Sequence, residues 1–551
     1  MITGKLMRDG ILSAANNINN HRKEVDALNV FPVPDGDTGT NMSMTMGAAA
    51  REVTLLHDDA DFSTVINTAA SALLRGARGN SGVILSLIFR GIARGVKDSK
   101  TIDSNELAVA LQSGSKTAYK AVMKPTEGTI LTVVRIASEK AKASAAKGDD
   151  VLTLWGVVCE SAEEALADTP NILPVLKKAG VVDAGGQGLV YIFDGIKSVL
   201  ETGTIIQSSD GENDAKQERS AIISMSNEDI KFAYCTEFLI NKNAKSNKDS
   251  LKLRAYFESI GDSVVVVDDD SLIKVHIHTN EPGNALQAAL KYGSLVNIKI
   301  ENMHQQHENA DWGVGSEVQG QEDAMMPVKP EKPYGMVAVA YGEGLETLFM
   351  ELGVDRLVAG GQTMNPSTED ILRAVNATPA ERVFVFPNNK NIIMAAEQVI
   401  PLTEKKVSVL QTRTIPQGIT AALNFDESLS PEENHLNMMK AAEKVNTGLV
   451  TFAARDSVVN GQSVKKGQVI GMENGKITLS ESTTIQAAFR ITKHMFKRGS
   501  SSLITVIYGA DKSEKHAEEL HSMLKAKYGN DADISVINGG QPVYYFIISV
   551  E

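Results

Sequence analysis

Residues 29–46 read Asn29-Val-Phe-Pro-Val-Pro-Asp-Gly-Asp-Thr-Gly-Thr-Asn-Met-Ser-Met-Thr-Met46, and nowhere else in the chain are acidic, glycine and small polar residues packed so closely between two apolar segments. Pro32 and Pro34 hold the approach extended, Gly36 and Gly39 permit tight bending, and Asp35 and Asp37 set two carboxylates on alternate residues of one turn. Two carboxylates about 5 Å apart repel by roughly 3 kcal/mol at an effective dielectric of about 20, so the arrangement calls for a cation. Magnesium fits, because it takes one or two carboxylates, keeps several waters and completes its shell with phosphate oxygens. A lone Asp-Gly-Asp is as easily a solvated Asx turn. The surroundings decide between the two.

Outward from this loop, residues 4–203 are mostly helical by periodicity: Leu6, Ile11, Ala15 and Ile18 first, then Ala/Leu-rich runs at 63–74 and 83–96. The breaks between runs are Arg75-Gly-Ala-Arg-Gly-Asn-Ser-Gly82, Lys124-Pro-Thr-Glu-Gly-Thr129 and Val182-Asp-Ala-Gly-Gly-Gln-Gly188. Gly79, Asn80, Ser81 and Gly82 precede an apolar helix, so their N–H groups and the Ser81 hydroxyl would sit at a positive helix end, a seat for phosphate. Gly128 and Thr129 repeat the device before residue 130. Each alone reads equally as an ordinary N-cap, but their recurrence in one domain favours phosphate. No P-loop and no strand-linked Gly-x-Gly-x-x-Gly accounts for them.

The set Asp35-Gly-Asp-Thr-Gly-Thr-Asn41, Gly79-Asn-Ser-Gly82, Glu127-Gly-Thr129 and Asp183-Ala-Gly-Gly186 resembles the ATP-binding domain of the dihydroxyacetone kinase family. The resemblance implies an all-α, antiparallel eight-helix barrel over residues 1–204 that binds ATP at one end through magnesium held by Asp35 and Asp37. Thr38, Asn41, Gly79, Asn80, Ser81, Gly82, Gly128, Thr129, Asp183 and Gly185 are then the nucleotide contacts. That family's kinases usually carry a third aspartate shortly before the pair. Here the nearest counterpart is Asn29, at a slightly different spacing.

Composition bounds the alternatives. A chain of 551 residues is too long for one core, and a net charge of -13 argues against nucleic acid or an anionic membrane surface as partner. Two cysteines, Cys159 and Cys235, are too few for a disulfide framework and point to a reducing compartment. With no signal-peptide core and no run of about 20 apolar residues, the sequence leads us to expect a cytoplasmic protein without stable membrane insertion.

After a Ser-, Asp- and Lys-rich linker, residues 228–303 alternate as β-α-β-β-α-β, the order of a split, ferredoxin-like α+β domain in which the first and third strands are neighbours. His276 and His278, two apart on the third strand, share one face, and Cys235 on the first strand can stand beside them. One Cys and two His suit zinc, with Glu237, His304, His307 or water completing a tetrahedron. The plain reading is two imidazoles on an open sheet face and a small core cysteine.

From residue 334 to 551 short apolar strands alternate with helices, predicting two α/β lobes, the first with a parallel sheet. Its loops at 342–344, 360–368 and 387–391 gather at the carboxyl edge, where such sheets bind ligands or partners. The polar segments 362–367 and 388–391 are the docking surface expected from sequence. The motif Gly-Gly-Gln-Thr-Met-Asn-Pro-Ser-Thr368 and Pro-Asn-Asn-Lys-Asn391, with the middle-domain Cys and His pair and the aspartate loop, resemble the kinase component of bacterial fatty acid kinases over nearly the whole chain. That resemblance implies a homodimeric, ATP-dependent kinase that phosphorylates the carboxylate of a fatty acid presented by a DegV-type fatty-acid-binding protein. It further implies acyl phosphate for phospholipid synthesis as the product, and DegV-like C-terminal lobes. Two rivals are a kinase for a small hydroxyl compound such as dihydroxyacetone, and an ATP-sensing scaffold without turnover. Held as a separate domain, the helical half alone should retain ATP binding.

Overall fold

The structure is a computed structural model, and it describes residues 1–29, 36–96, 98–122, 125–209, 232, 234–242, 250–268, 272–302, 328–361, 365–453, 457–459 and 462–551. Its backbone forms two compact units, one made of Met1–Ser209 with Ala324–Glu551 and the other of Asp210–Asp323.

The first unit begins with a short strand β1 (Ile2–Thr3), which pairs with β2 (Thr101–Ile102). Thr3 then accepts the Leu6 N–H at the start of α1 (Gly4–Asn20), on which Met7, Ile11, Ala14 and Ile18 recur three to four apart and are buried. A short α2 (Arg22–Leu28) is followed by six long helices: α3 (Thr38–Thr54), α4 (Phe62–Gly76), α5 (Gly79–Gly95), α6 (Ser104–Ala121), α7 (Ile130–Ala146) and α8 (Val151–Ile172). The short α9 (Pro174–Ala179) and the long α10 (Ala184–Thr202) complete this half. Each long helix packs on the next, and α10 packs on both α8 and α1, so contact runs round a closed ring. Small residues let the seams close: a Cβ on Gly91 of α5 would stand 2.6 Å from the Gly114 Cα of α6. In such an up-and-down ring alternate helices begin at the same end. The starts of α3, α5, α7 and α10 therefore share one rim, which is what positions the site.

The second unit is a small antiparallel sheet with two helices. The strands β3 (Tyr234–Lys242), β4 (Gly261–Asp268), β5 (Leu272–Thr279) and β6 (Gly293–Asn302) lie in the order β4-β5-β3-β6, and α11 (Ser250–Ile260) and α12 (Pro282–Ala289) contribute to the core. Phe238, Ile240, Ile273, Val275 and Ile277 fill that core against Leu253 and Phe257. The register pairs Cys235 with His278 and Glu237 with His276, which places the four on one face of the sheet. His278 is buried; the side chains of Cys235 and His276, and the residues His304 and His307, lie outside what the structure describes.

The C-terminal half of the first unit has two main sheets. The strands β7 (Lys332–Ala340), β8 (Arg356–Ala359), β9 (Ala380–Phe386) and β10 (Lys406–Val409) form a parallel sheet in the order β10-β9-β7-β8, with α13 (Glu343–Glu351), α14 (Thr368–Ala377) and α15 (Ile393–Glu397) between its strands. Beyond α16 (Ile415–Leu423) and α17 (Pro431–Ala442) come β11 (Asn446–Phe452) and a small hairpin of β12 (Ser457–Val459) and β13 (Gln462–Val464). The second sheet then has six strands, in the order β15 (Lys476–Glu481), β14 (Val469–Glu473), β11, β18 (Phe546–Val550), β16 (Leu503–Tyr508) and β17 (Asp533–Asn538). Periodicity anticipates β11, β16 and β18. It misses β14 and β15, and also β17, an edge strand with four of its six residues exposed and the other two half-buried.

The largest apolar cluster does not stop at the helices. Val337, Ile371, Val375, Val383, Val385 and Val399 belong to the same buried core as Leu73, Leu85 and Ile88, with α14 packing on α4 and α15 on α5. Each such side chain taken fully from water is worth about 1.5–3 kcal/mol.

Candidate functional site

A cleft of about 400 Å³ opens where the four helix starts meet, lined by Asp37, Thr38 and Asn41 of the α3 start, Asn80 and Ser81 of α5, Thr129 and Ile130 of α7, and Asp183, Ala184 and Gly185 of α10. Asn29, Leu28, Ile84, Val122, Leu173, Val175 and Leu176 supply the rest of the wall with Thr126, Leu131 and Asn391. Of the residues picked out by sequence, Asp37, Thr38, Asn41, Asn80, Ser81, Thr129, Asp183 and Gly185 are thus brought together. Asp35 lies outside the described residues.

The helix starts differ in how they are capped. Asp37 and Arg78 hold the N-cap positions of α3 and α5 without a side-chain cap bond. On α3, Asp26 takes the Thr40 N–H at 3.1 Å and the Thr40 hydroxyl at 2.8 Å, and Asn29 Nδ2 donates to Thr38 Oγ1 at 3.1 Å. The start of α5 therefore aims uncapped N–H groups at the cleft, the arrangement that binds oxyanions. Thr129 and Asp183 cap conventionally. The Asp183 carboxylate accepts the Gly186 N–H at 2.7 Å and the Ile130 N–H at 2.9 Å, tying α10 to α7. Its first role is to fix two helix ends in register, so the nucleotide contact expected of it is at most through what remains of the carboxylate.

Gly79, Gly82 and Gly128 do not line the cleft; they serve its geometry. Gly79 has φ +58, and a Cβ there would stand 2.6 Å from Asn41 Nδ2, while a Cβ on Gly82 would stand 2.5 Å from Thr45 Oγ1. These glycines let α5 lie against α3 closely enough for Asn80 and Ser81 to reach the same space as Asp37.

Burial pushes the Asp37 carboxyl up to about 6; a hydrogen bond from Asn41 opposes this, the charge of Asp26 adds to it, and a hydrogen bond from Asn365 opposes it again. Burial likewise pushes Asp183 up to about 6 against the N–H bonds it accepts. At neutral pH Asp37 is ionised with little to spare, the state in which a divalent cation gains most by binding. Among the described residues no group of three or more His, Cys, Asp or Glu could by itself hold a metal, so any cation here would draw on Asp37, on amide and hydroxyl oxygens and on its ligand's phosphates. The Asn80 Oδ1, buried and without a hydrogen-bond partner among the described residues, is one such oxygen.

The C-terminal loops are not where the sequence leads us to expect them. Asn365, Ser367, Asn388 and Asn389 are 2%, 4%, 4% and 5% exposed, so much of the two segments expected to form a docking surface is buried within this chain; Lys390 is exposed and Asn391 half-buried, and residues 362–364 lie outside the described residues. Ser367 and Asp370 form the capping box of α14, and Asn388 Nδ2 donates to the Val339 carbonyl at 3.1 Å. Carboxyl-edge residues Gly360, Gly361, Pro387 and Asn388 instead line a cavity of about 80 Å³ with Arg413, Gln541 and Tyr544. Asn391 reaches the main cleft itself. Sequence misses it there because a cluster of asparagines after a strand reads as an outward loop, and misses α9 although Pro174 and the left-handed Gly180 bracket it.

No helix among the described residues is long and apolar enough to cross a membrane. The family model for the DAK2 domain matches residues 32–198, that for the FakA-like middle domain of fatty acid kinases residues 231–310, and that for the FakA-like C-terminal domain residues 335–551. Protein YloV of Bacillus subtilis (strain 168) is 43% identical over 556 residues, covering 100% of this chain and 99% of its own. An uncharacterized protein of Staphylococcus saprophyticus is 38% identical over 559 residues with the same coverage, 100% and 99%. A fatty-acid-binding DegV family protein from Thermus thermophilus overlaps 40% of this chain and 99% of its own at 14% identity and a TM-score of 0.30, too loose a likeness to bear weight.

Proposed function

Because the chain belongs to the FakA-like family of fatty acid kinases, we propose that it transfers the γ-phosphoryl group of ATP to the carboxylate of a fatty acid presented by a separate DegV-type binding protein, giving an acyl phosphate. The convergence of four helix N-termini on one cleft beside Asp37 is the observation that carries this reading. Each such end carries about half a positive charge, and phosphoryl transfer asks for charge neutralisation and alignment more than for a protein nucleophile. Asn80, Ser81 and the first N–H groups of α5 would hold phosphate oxygens, Thr38 and Asn41 would orient them, and the apolar wall of Leu28, Ile84, Leu173 and Val175 would take the base. Asp37, with Asp35, would hold magnesium, which when bound offsets the phosphate charge.

The size of the cleft supports a carrier for the lipid. About 400 Å³ lies near the lower end of the range for small-ligand sites, room for a nucleotide but not for a nucleotide and a buried acyl chain together. The rival small-hydroxyl kinase would want a histidine at the site. His21 stacks on Tyr191 at 4.1 Å with its Nδ1 2.9 Å from the Asn17 carbonyl, and His57 lies in the turn after α3, so neither serves. Mixing the protein with ATP, magnesium and a long-chain fatty acid on a DegV-type protein should give carrier-dependent ATP consumption. Consumption indifferent to carrier and lipid would remove this function, and none at all would favour a nucleotide-sensing scaffold. Homodimer formation belongs to the same proposal and rests on the family resemblance.

Gly79→Ala probes the phosphate seat. The left-handed backbone alone costs a non-glycine residue about 1–2 kcal/mol, and the new methyl must displace the Asn41 amide. Nucleotide affinity should fall about tenfold in calorimetric titration; parental affinity would show that the α5 start is not the seat.

We take the ring of long helices as an eight-helix barrel and the second unit as ferredoxin-like, and assign zinc to Cys235, His276 and His278. The support for zinc is the register that sets Cys235 opposite His278 and Glu237 opposite His276. Purified protein should carry about one zinc per chain by elemental analysis, and Cys235→Ala should lose it. Metal-free parental protein would return these residues to an ordinary sheet face.

A further inference from the structure

The C-terminal region touches the cleft at its most polar point. Asn365 Nδ2 donates to Asp37 Oδ2 at 2.5 Å, and the same residue's carbonyl accepts from Arg78 Nη1 at 2.8 Å. Around it, Thr368 N–H donates to the Ala77 carbonyl at 3.1 Å, Arg78 and Ser367 form an antiparallel bridge, and an Arg78 nitrogen lies 3.5 Å from Asp370 Oδ2. Residues 365–368 are thus clipped along the very turn that leads into Gly79, Asn80 and Ser81. A Cβ on Gly79 would stand 2.6 Å from the Asn41 amide nitrogen and 3.3 Å from that of Asn365, so both amides flank the α5 start.

One atom is left over. Asn365 is 2% exposed, and its Oδ1 is buried with no hydrogen-bond partner among the described residues, as is Asn80 Oδ1 at the α5 start. Leaving a buried amide oxygen uncompensated is unfavourable, so its persistence at this place wants a reason. Phosphate cannot supply one, since at neutral pH its oxygens accept and an amide oxygen also accepts. An N–H or O–H donor or a water satisfies an amide oxygen, and so does a divalent cation; of these only the cation also engages the neighbouring Asp37 carboxylate and the phosphates of a bound nucleotide.

We propose that the C-terminal region completes the cation site of the nucleotide cleft: Asn365 positions Asp37 through its amide N–H and turns its Oδ1 to the magnesium shell of the bound nucleotide. This rests on the ATP-binding reading of the cleft and extends it, making the metal site a joint product of two stretches more than 320 residues apart. Asn365 is a positioning residue for Asp37, and any direct contact it makes with the cation is through the oxygen alone.

The test uses the full chain and a fluorescent ATP analogue, with binding followed as magnesium is titrated. Asn365→Ala should raise the magnesium concentration for half-maximal binding about tenfold or more, while affinity at saturating magnesium changes less than about threefold. Asp370→Ala breaks the same junction through the Arg78 pair and the α14 cap without touching Asp37, and should leave the midpoint in place. An unshifted midpoint in Asn365→Ala, or an equal shift in Asp370→Ala, overturns the assignment and leaves Asn365 a junction residue. If the parent itself fails to bind the nucleotide with magnesium, the functional reading fails first; if the parent binds and only the variants are indifferent, this inference fails alone.

Discussion

Asp37→Asn should lower turnover by about a thousandfold or more while leaving the fold intact. The substitution removes the described carboxylate of the cation site, and the charge stabilisation a bound cation gives to a transferring phosphoryl group is worth several kcal/mol, each 1.36 kcal/mol being tenfold in rate. It should also stabilise the nucleotide-free protein, and the pH dependence has a definite sign. Burial holds the Asp37 carboxyl at about 6 against an ordinary value of 3.8. Between roughly pH 4 and 6 the folded chain keeps a proton that the unfolded chain has released, so this group's contribution to parental stability falls as pH rises through that window. Above about 6 the cost is constant and bounded at about 3 kcal/mol, less where solvent reaches the group. The melting temperature of Asp37→Asn minus that of the parent should therefore grow from pH 4 to 6 and then level. Retention of parental turnover would take Asp37 out of the mechanism, and a difference flat across that range would place its carboxyl in the ordinary range.

A chain ending at Ser209 should be crippled rather than merely inactive. The apolar cluster shared by Leu73, Leu85 and Ile88 with Ile371, Val375 and Val399 would be cut through, and the faces of α4 and α5 that meet α14 and α15 would be laid open. Uncovering three or four such side chains costs on the order of 5 kcal/mol, which for a domain of this size lowers melting by about 10 °C or more. Nucleotide affinity should fall with it, since Asn391 leaves the cleft and Asp37 loses its hydrogen bond from Asn365. This departs from the sequence expectation of a helical half that keeps ATP binding alone. Calorimetry and a hydrophobic dye on the fragment decide it; parental melting and affinity would show the shared core to be dispensable.

The helical half is legible because its signals are local. Apolar residues recur at three and four, N-caps stand where the recurrence begins, and glycines mark the starts of α5 and the approach to α7. That Asp37, Asn41, Asn80, Ser81, Thr129 and Asp183 share one cleft follows from family likeness together with the rule that alternate helices in a ring begin at one end. What stays hidden is non-local. Nothing near Asn365 or Asn391 in sequence announces a partner such as Asp37, and a polar loop after a strand looks the same whether it faces solvent or another part of the chain. Asp183 shows the opposite case, a residue whose likeness is to a ligand contact and whose hydrogen bonds are those of a double helix cap. The edge strand β17 escapes notice because four of its six positions are exposed, which erases the alternation that reveals a strand.

The discontinuous first unit has a consequence in time. On the ribosome the α4 and α5 faces are made before residue 95, but the side chains that cover them lie between Val337 and Val409. Val409 is made 200 residues after Ser209, which at about 5–20 residues per second is a delay of roughly 10–40 s. Through that interval the nascent helical half carries an unpaired apolar flank, while the second unit, whose core is its own, can close as soon as it emerges. Synthesis thus sets an order in which the middle of the chain folds before its two ends have met, and chaperones that shield apolar surface should be found on nascent chains stalled before residue 337 and absent from those stalled well after residue 409.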